Sequence, residues 1–206
     1  MMKAPLHKQA FSLVELSIVL VILGLLTGGV LTGQNLIRAA ELRAVTTEYQ
    51  TYQTAVMTFR DKYFALPGDM RNATDFWGAM STGTCPNATG GTGTQTCNGD
   101  GDGSIELPSA VSTTGETFMF WQHLANAGII EGSYTGIAGP TTNSHDSIIG
   151  ENVPASKVSN SGWSVHPYDT FAGSTTMFAG DYGNVFVNGI ANAGSITLGI
   201  TYIPEE

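Results

Sequence analysis

The sequence has few charged residues, and basic residues are the scarcest of them. Charged residues make up 12% of the 206 residues, about half the share that is usual in globular proteins. Lys and Arg number 8 against 17 Asp and Glu, so the formal net charge is −9. Nucleic-acid binding is therefore not expected, because neutralising phosphates requires a basic patch.

The sequence also lacks the motifs that mark the common catalytic sites. It contains no Gly-x-Ser-x-Gly elbow, His-Glu-x-x-His pair, Walker loop or Cys-x-x-Cys motif. Its histidines lie far apart, and we expect His123 at the surface or at a helix cap and His166, which precedes Pro167, in a turn. Because no nucleophile, base and orienting group can be paired, we predict that the protein is not an enzyme.

Proline is absent from a long stretch near the N-terminus that contains an apolar run. No proline occurs between Pro5 and Pro67, and residues 16–37 are mostly apolar. About twenty residues of helix span a bilayer core, so the run is long enough to cross a membrane. Four glycines, at positions 24, 28, 29 and 33, interrupt it. They either permit close packing between helices or weaken the helix, and both alternatives stay open.

The charges around the apolar run distinguish between kinds of export segment. Lys3 and Lys8 precede it, so the positive-inside rule predicts a cytoplasmic N-terminus. An ordinary cleaved signal peptide is the alternative, but Glu15 places an acid where such a peptide has an unbroken apolar segment. An ionisable group in a membrane segment indicates a function with a partner. A cut between Ala10 and Phe11 would create an amino group that Glu15 of a neighbouring subunit can neutralise.

Residues 8–26, Lys-Gln-Ala-Phe-Ser-Leu-Val-Glu-Leu and the apolar run, resemble the class III signal peptide of type IV prepilins and type II secretion pseudopilins. The shared features are a short basic leader, a cut before Phe11 and a Glu, here Glu15, fifth from the cut. The resemblance implies that a prepilin peptidase removes residues 1–10 and methylates the amine of Phe11. One departure is Ala10, because the family usually has Gly immediately before the cut.

The resemblance also implies a function, partners and a location. The function is that of a structural subunit of a type IV pilus or a type II secretion pseudopilus, polymerised through its N-terminal helix. The partners are the prepilin peptidase, other pilin or pseudopilin subunits and the inner-membrane assembly platform. The subunit is expected to cross the bacterial inner membrane once before assembly and to lie in a periplasmic or cell-surface filament afterwards. A membrane-tethered periplasmic binding or adhesion module that does not polymerise is the alternative.

A second helical pattern follows the apolar run and, together with the predicted strands, indicates an α+β fold, which the resemblance implies is of pilin-like type. We predict one helix over residues 11–63, in which 11–37 form the transmembrane or filament-core part and 38–63 pack on a globular domain over residues 64–206. The sequence Leu-Pro-Gly-Asp at 66–69 predicts the end of the helix. Further helices are predicted at 72–79 and 116–127. Four strands are predicted at 162–165, 175–179, 184–188 and 195–203, and we expect them to form an antiparallel sheet that lies on the long helix. The apolar stripe of the long helix consists of Leu42, Val45, Tyr49, Tyr52, Val56, Phe59 and Tyr63.

The two cysteines, Cys85 and Cys97, bound a polar, glycine-rich loop. Beside an export-type N-terminus they predict a disulfide, because exported thiols normally oxidise. Such a bridge would stabilise the loop by roughly 3 kcal/mol. Two unpaired thiols are the alternative.

Oxygen-bearing side chains at alternate positions follow directly in residues 98–106, Asn-Gly-Asp-Gly-Asp-Gly-Ser-Ile-Glu. This pattern is similar to the first half of an EF-hand calcium loop. Ser109 stands at the twelfth position, where the motif has a bidentate acid, and Glu116 could supply the missing carboxylate. A solvated acidic turn is the alternative to Ca²⁺ binding. The candidate ligands are Asn98, Asp100, Asp102, Ser104, Glu106 and Glu116.

Overall fold

The computed structural model describes residues 12–80, 93–108, 112–140, 146–167, 183–190 and 199–200. The elements in chain order are α1 (Leu13–Tyr63), α2 (Ala73–Trp77), α3 (Glu116–Asn126), β1 (Ser161–Pro167), β2 (Asn184–Ile190) and β3 (Gly199–Ile200). The predicted α+β class with a long N-terminal helix is confirmed. The chain divides into two compact units, Met1–Arg43 and Ala44–Glu206, so α1 contributes to both. The strand predicted at 175–179 lies outside the described residues.

The three strands form one antiparallel sheet in the order β1-β2-β3. The register between β1 and β2 runs from Ser161 opposite Ile190 to Pro167 opposite Asn184. His166 is therefore a strand residue, paired with Val185, and its side chain is buried. The prediction of a turn at His166 is wrong, because β1 continues to Pro167 and ends there, where the missing N–H of proline is tolerated.

An aromatic cluster joins the second half of α1 to the sheet and to α3. The Tyr52 ring lies 4.9 Å from Trp121 of α3, 5.6 Å from Trp163 of β1 and 6.3 Å from Phe186 of β2, measured between ring centroids. Phe186 also meets Tyr49 edge-on at 6.0 Å. Because Tyr49 and Tyr52 belong to the predicted stripe, the prediction that the sheet lies on α1 is confirmed.

Glu48 of α1 is buried in the same region and fixes the segment that leads into β1. One carboxylate oxygen accepts hydrogen bonds from the Ser156 hydroxyl at 2.6 Å and from the Trp163 indole N–H at 2.9 Å. The other accepts the backbone N–H of Lys157 at 2.7 Å. Three donors on one carboxylate offset the cost of removing its charge from water.

The helix α3 is buried on all sides over residues 116–124. The prediction that His123 lies at the surface or at a cap is wrong. Its Nδ1 accepts the Gly68 backbone N–H at 2.9 Å, its Nε2 lies 2.9 Å from the Thr96 hydroxyl oxygen, and its ring stacks on Phe59. Burial lowers the pKa of His123 to about 3, so the ring is neutral and joins three separate segments.

The end of α1 has an uncommon backbone conformation. The N–H of Phe64, the residue after the helix, donates to the carbonyl oxygen of Arg60 at 2.8 Å. The φ of Phe64 is 54°, in the left-handed region where a side chain costs about 1–2 kcal/mol and glycine is the usual residue. The Phe64 side chain is nevertheless 92% exposed. Burial among the described residues therefore compensates little for the strain.

Candidate functional site

The N-terminal half of α1 exposes a continuous apolar surface. The large apolar side chains from Leu13 to Ile37 are between 50% and 86% exposed. Within the described residues, α1 is the helix with the length and composition to cross a membrane, and no residue in its most apolar window is buried. Such a surface needs a cover of lipid or of other helices.

The helix is continuous through its four glycines. A Cβ added at Gly24, Gly28, Gly29 or Gly33 would meet nothing within 4 Å. Among the described residues, these glycines therefore do not provide room for a neighbouring segment of the same chain. Close packing against another chain and local weakening of the helix both remain open as their roles.

Glu15 lies in the first turn of α1 and closes a capping box with Ser12. Its Oε2 accepts the Ser12 backbone N–H at 2.9 Å, and the Ser12 hydroxyl oxygen accepts the Val14 N–H at 3.3 Å. This reciprocal arrangement satisfies two N–H groups that a helix start leaves without partners. The carboxylate is thus held close to the start of the helix. Phe11 and Ala10, the predicted cleavage residues, lie outside the described residues.

Glu116 organises the acidic loop from within the core. Its Oε1 accepts the Asp100 backbone N–H at 3.1 Å, and its Oε2 accepts the Glu106 N–H at 3.2 Å. Carboxylate oxygens of Asp100, Glu106 and Glu116 lie within 4.8 Å of one another. Burial, together with a hydrogen bond to the Glu106 carboxyl group, raises the pKa of Glu116 to about 9.

Asp69 joins the same loop from the turn after α1. Its Oδ2 accepts the Gly103 N–H at 2.9 Å, and its Oδ1 accepts the Gly101 N–H. Carboxylate oxygens of Asp69, Asp100 and Asp102 again lie within 4.8 Å of one another. Burial raises the pKa of Asp69 above its ordinary value. No ligand role is predicted for Asp69 from the sequence, because its place in the Leu-Pro-Gly-Asp turn offers no signal for one.

The other two candidate ligands, Asn98 and Ser104, have hydrogen-bond partners of their own. The Asn98 amide oxygen accepts the Thr74 N–H at 2.9 Å, near the start of α2. The Ser104 N–H donates to a carboxylate oxygen of Asp102 at 2.7 Å. The structure therefore brings the acids of the predicted set together around Asp100, while the side chain of Asn98 bonds to α2.

Cys97 is fully buried and packs with Met80 and Met119. It is not a free thiol. Cys85, its predicted partner, lies outside the described residues, so the disulfide stays a prediction.

A family model described as the prokaryotic N-terminal methylation motif matches residues 6–31. The matched segment contains Ala10, Phe11 and Glu15, and the match confirms the predicted class III signal peptide. No curated protein and no solved structure matches the chain.

Proposed function

We propose that this chain, a type IV pilin-like protein by its N-terminal motif, is a structural subunit that polymerises through the front of α1. The filament would be a type IV pilus or a type II secretion pseudopilus. The observation that carries the proposal is the exposed apolar surface of residues 13–37, which directly follows the cleavage and methylation motif. Lipid covers this surface before assembly, and the α1 helices of neighbouring subunits cover it afterwards.

Processing follows from the motif. A prepilin peptidase cuts between Ala10 and Phe11 and methylates the new amino group. Before assembly the subunit crosses the inner membrane once, with Lys3 and Lys8 on the cytoplasmic side. The inner-membrane assembly platform then moves it into the filament. Catalysis has no part in this proposal, since the motif belongs to a structural family.

Glu15 supplies the polar contact of assembly. A carboxylate inside a packed apolar bundle is costly unless an opposite charge and hydrogen-bond donors meet it. Among the described residues, Glu15 accepts its hydrogen bond from Ser12 of the same turn, and a carboxylate has acceptor capacity beyond one bond. The methylated amine of Phe11 from a neighbouring subunit can use that capacity. This pairing sets the axial register of neighbouring subunits.

We also propose that the acidic loop binds one Ca²⁺ and that Cys85 and Cys97 close the adjoining loop. Carboxylates are the ligands that Ca²⁺ prefers, and those of Asp100, Glu106 and Glu116 lie close enough to share one ion. Asp69 and Asp102 add two more carboxylates through Asp100. The bound ion would neutralise the acids and hold the loop against α3.

Mass spectrometry of the mature N-terminus, combined with isolation of sheared filaments, tests the proposed function. We expect an N-methylated Phe11 and the protein in the filament fraction. Glu15→Ala should abolish filaments and leave cleavage intact, because the cut site is unchanged. Glu41→Ala removes an acid of α1 outside the motif and should assemble normally. An intact Met1, a cut near Ala40, or a cleaved protein that never enters filaments would contradict the proposal, and an uncut, unpolymerised protein would favour the membrane-tethered module.

A further inference from the structure

Two side chains of the segment that follows α1 hold the backbone of the acidic loop. Asp69 accepts the N–H groups of Gly101 and Gly103. Arg71 donates from Nε to the carbonyl oxygen of Asp100 and from Nη2 to that of Gly101, the latter at 3.3 Å. One side chain therefore accepts from the loop and the other donates to it. We call this pair, Asp69 and Arg71, the clamp.

The backbone between the two clamp residues also contacts the loop, at close range. The Met70 carbonyl oxygen accepts the Gly99 N–H at 3.0 Å. A Cβ at Gly99 would overlap the backbone of Asp69. A Cβ at Gly101, whose φ is 74°, would overlap the Arg71 side chain. Glycine at these two positions therefore permits the approach of the clamp to the loop.

The clamp acts against repulsion between acids. Carboxylate oxygens of Asp69, Asp100 and Asp102 lie within 4.8 Å of one another. Like charges this close favour an opened loop when no cation is present. The hydrogen bonds that Arg71 makes among the described residues end on carbonyl oxygens. The guanidinium group therefore holds the loop backbone and leaves the carboxylates to a cation.

The positive charge of Arg71 gives two opposite expectations for cation binding. An arginine is not a ligand of a cation, because its guanidinium group stays protonated and has donors only. Its charge repels a cation bound nearby. A guanidinium group beside a Ca²⁺ site thus strengthens binding only if the order that it imposes on the loop outweighs this repulsion. Removal of the charge should raise Ca²⁺ affinity if repulsion dominates and lower it if the order of the loop dominates.

We propose that Arg71 is a positioning residue of the Ca²⁺ site. Together with Asp69 it holds residues 99–103 in the conformation that receives the ion, before the ion is present. The inference rests on the Ca²⁺ binding that is part of the proposed function and adds the group that preorganises the loop. Because the loop is ordered in advance, ion binding does not have to supply the free energy of ordering it.

Calorimetric titration of the full chain in detergent with Ca²⁺ measures the sign of the effect. Arg71→Gln should weaken Ca²⁺ binding at least about tenfold, although it removes a repelling charge, because the ion must then order the loop. Arg71→Lys keeps the charge but loses the planar set of donors, so it should also bind more weakly than the original chain. The matched control Arg60→Gln removes an exposed charge of α1 and should bind within about twofold of the original chain, because solvent and salt screen that charge. Equal or tighter binding by Arg71→Gln would overturn the inference.

Hydrogen exchange measures the order of the loop without the ion. It is read by mass spectrometry on peptides that contain residues 99–103. In a chelator the original chain should protect the N–H groups of Gly101 and Gly103, and in Arg71→Gln these groups should exchange at least about tenfold faster. Saturating Ca²⁺ should restore their protection in the variant, a rescue that a general loss of structure would not show. Unchanged protection of the variant in the chelator would contradict the positioning role.

The two measurements separate this inference from the Ca²⁺ site itself. If the original chain binds no Ca²⁺, the proposed site fails and the positioning role fails with it. If the original chain binds Ca²⁺ and Arg71→Gln binds it equally tightly, the site stands and the present inference alone fails.

Discussion

Removal of the Glu48 carboxylate should destabilise the globular unit strongly. Glu48→Ala deletes three hydrogen bonds to a charged acceptor and leaves the donors of Ser156, Lys157 and Trp163 without it. Hydrogen bonds to charged groups contribute about 1.5–3 kcal/mol each, but the desolvation cost of the carboxylate is recovered when it is removed. We therefore expect a loss of about 4 kcal/mol, near the value for breaking a buried charge pair.

Urea unfolding of the full chain in detergent, followed by tryptophan fluorescence, measures this loss, since Trp163 is itself one of the donors. Glu48→Gln should cost less, because its amide oxygen can still accept from the two donors that share one carboxylate oxygen. Glu41→Ala is the matched control on the same helix and should change the unfolding free energy by less than about 0.5 kcal/mol. If Glu48→Ala unfolds within about 1 kcal/mol of the original chain, the buried carboxylate does not hold the β1 segment on α1.

Three further predictions concern His123, the acidic loop and Phe64. Because the pKa of His123 is lowered to about 3, its imidazole takes up a proton in the unfolded chain as the pH falls below about 6.5, before it does so in the folded chain. The free energy of unfolding should therefore decrease by up to about 1.4 kcal/mol per pH unit between about pH 6.5 and 3. Unfolding of His123→Gln, measured over the same pH range, should lack this decrease. Added Ca²⁺ should raise the melting temperature of the full chain. Glu116→Gln should remove this increase, whereas the control Asp75→Asn, at an exposed position, should keep it. Equal melting temperatures with Ca²⁺ and with a chelator would exclude the site. Phe64→Asn should stabilise the free subunit by about 0.5–1 kcal/mol, because Asn tolerates the left-handed conformation and the ring, 92% exposed, gains little burial among the described residues. Thermal unfolding checks this, and a loss of stability would contradict it.

Local patterns were sufficient to predict much of the secondary structure. The spacing of apolar residues predicted α1 as far as Tyr63, where the Leu-Pro-Gly-Asp turn follows, and placed the start of α3 at Glu116. The alternation of β-branched and aromatic residues located β1 and β2 to within two residues at each end. These signals succeed because backbone propensity and one-sided burial act over short stretches of sequence.

Long-range hydrogen bonds could not be predicted in the same way. Glu48 lies 108 residues or more from its side-chain partners Ser156 and Trp163, and Asp69 accepts from Gly103 over 34 residues. Spacing shows that Glu48 falls between Val45 and Tyr52 on the buried stripe, so an acid within the stripe was a signal that could have been used. His123 had no such signal, because its neutral state depends on burial that sequence does not report.

The capping box at the start of α1 has the sequence signature Ser12-x-x-Glu15, which indicates a local role for Glu15 that the predicted assembly role did not include. The two roles are physically compatible. The buried acids Glu48 and Glu116 each have both carboxylate oxygens engaged by donors of the same chain, so their orientation is fixed in the free subunit. Glu15 is exposed and its described bond is to Ser12, within the first turn. An exposed acid with acceptor capacity left can stabilise the helix start in the monomer and still receive a neighbour's amine, which an acid held like Glu48 could not do.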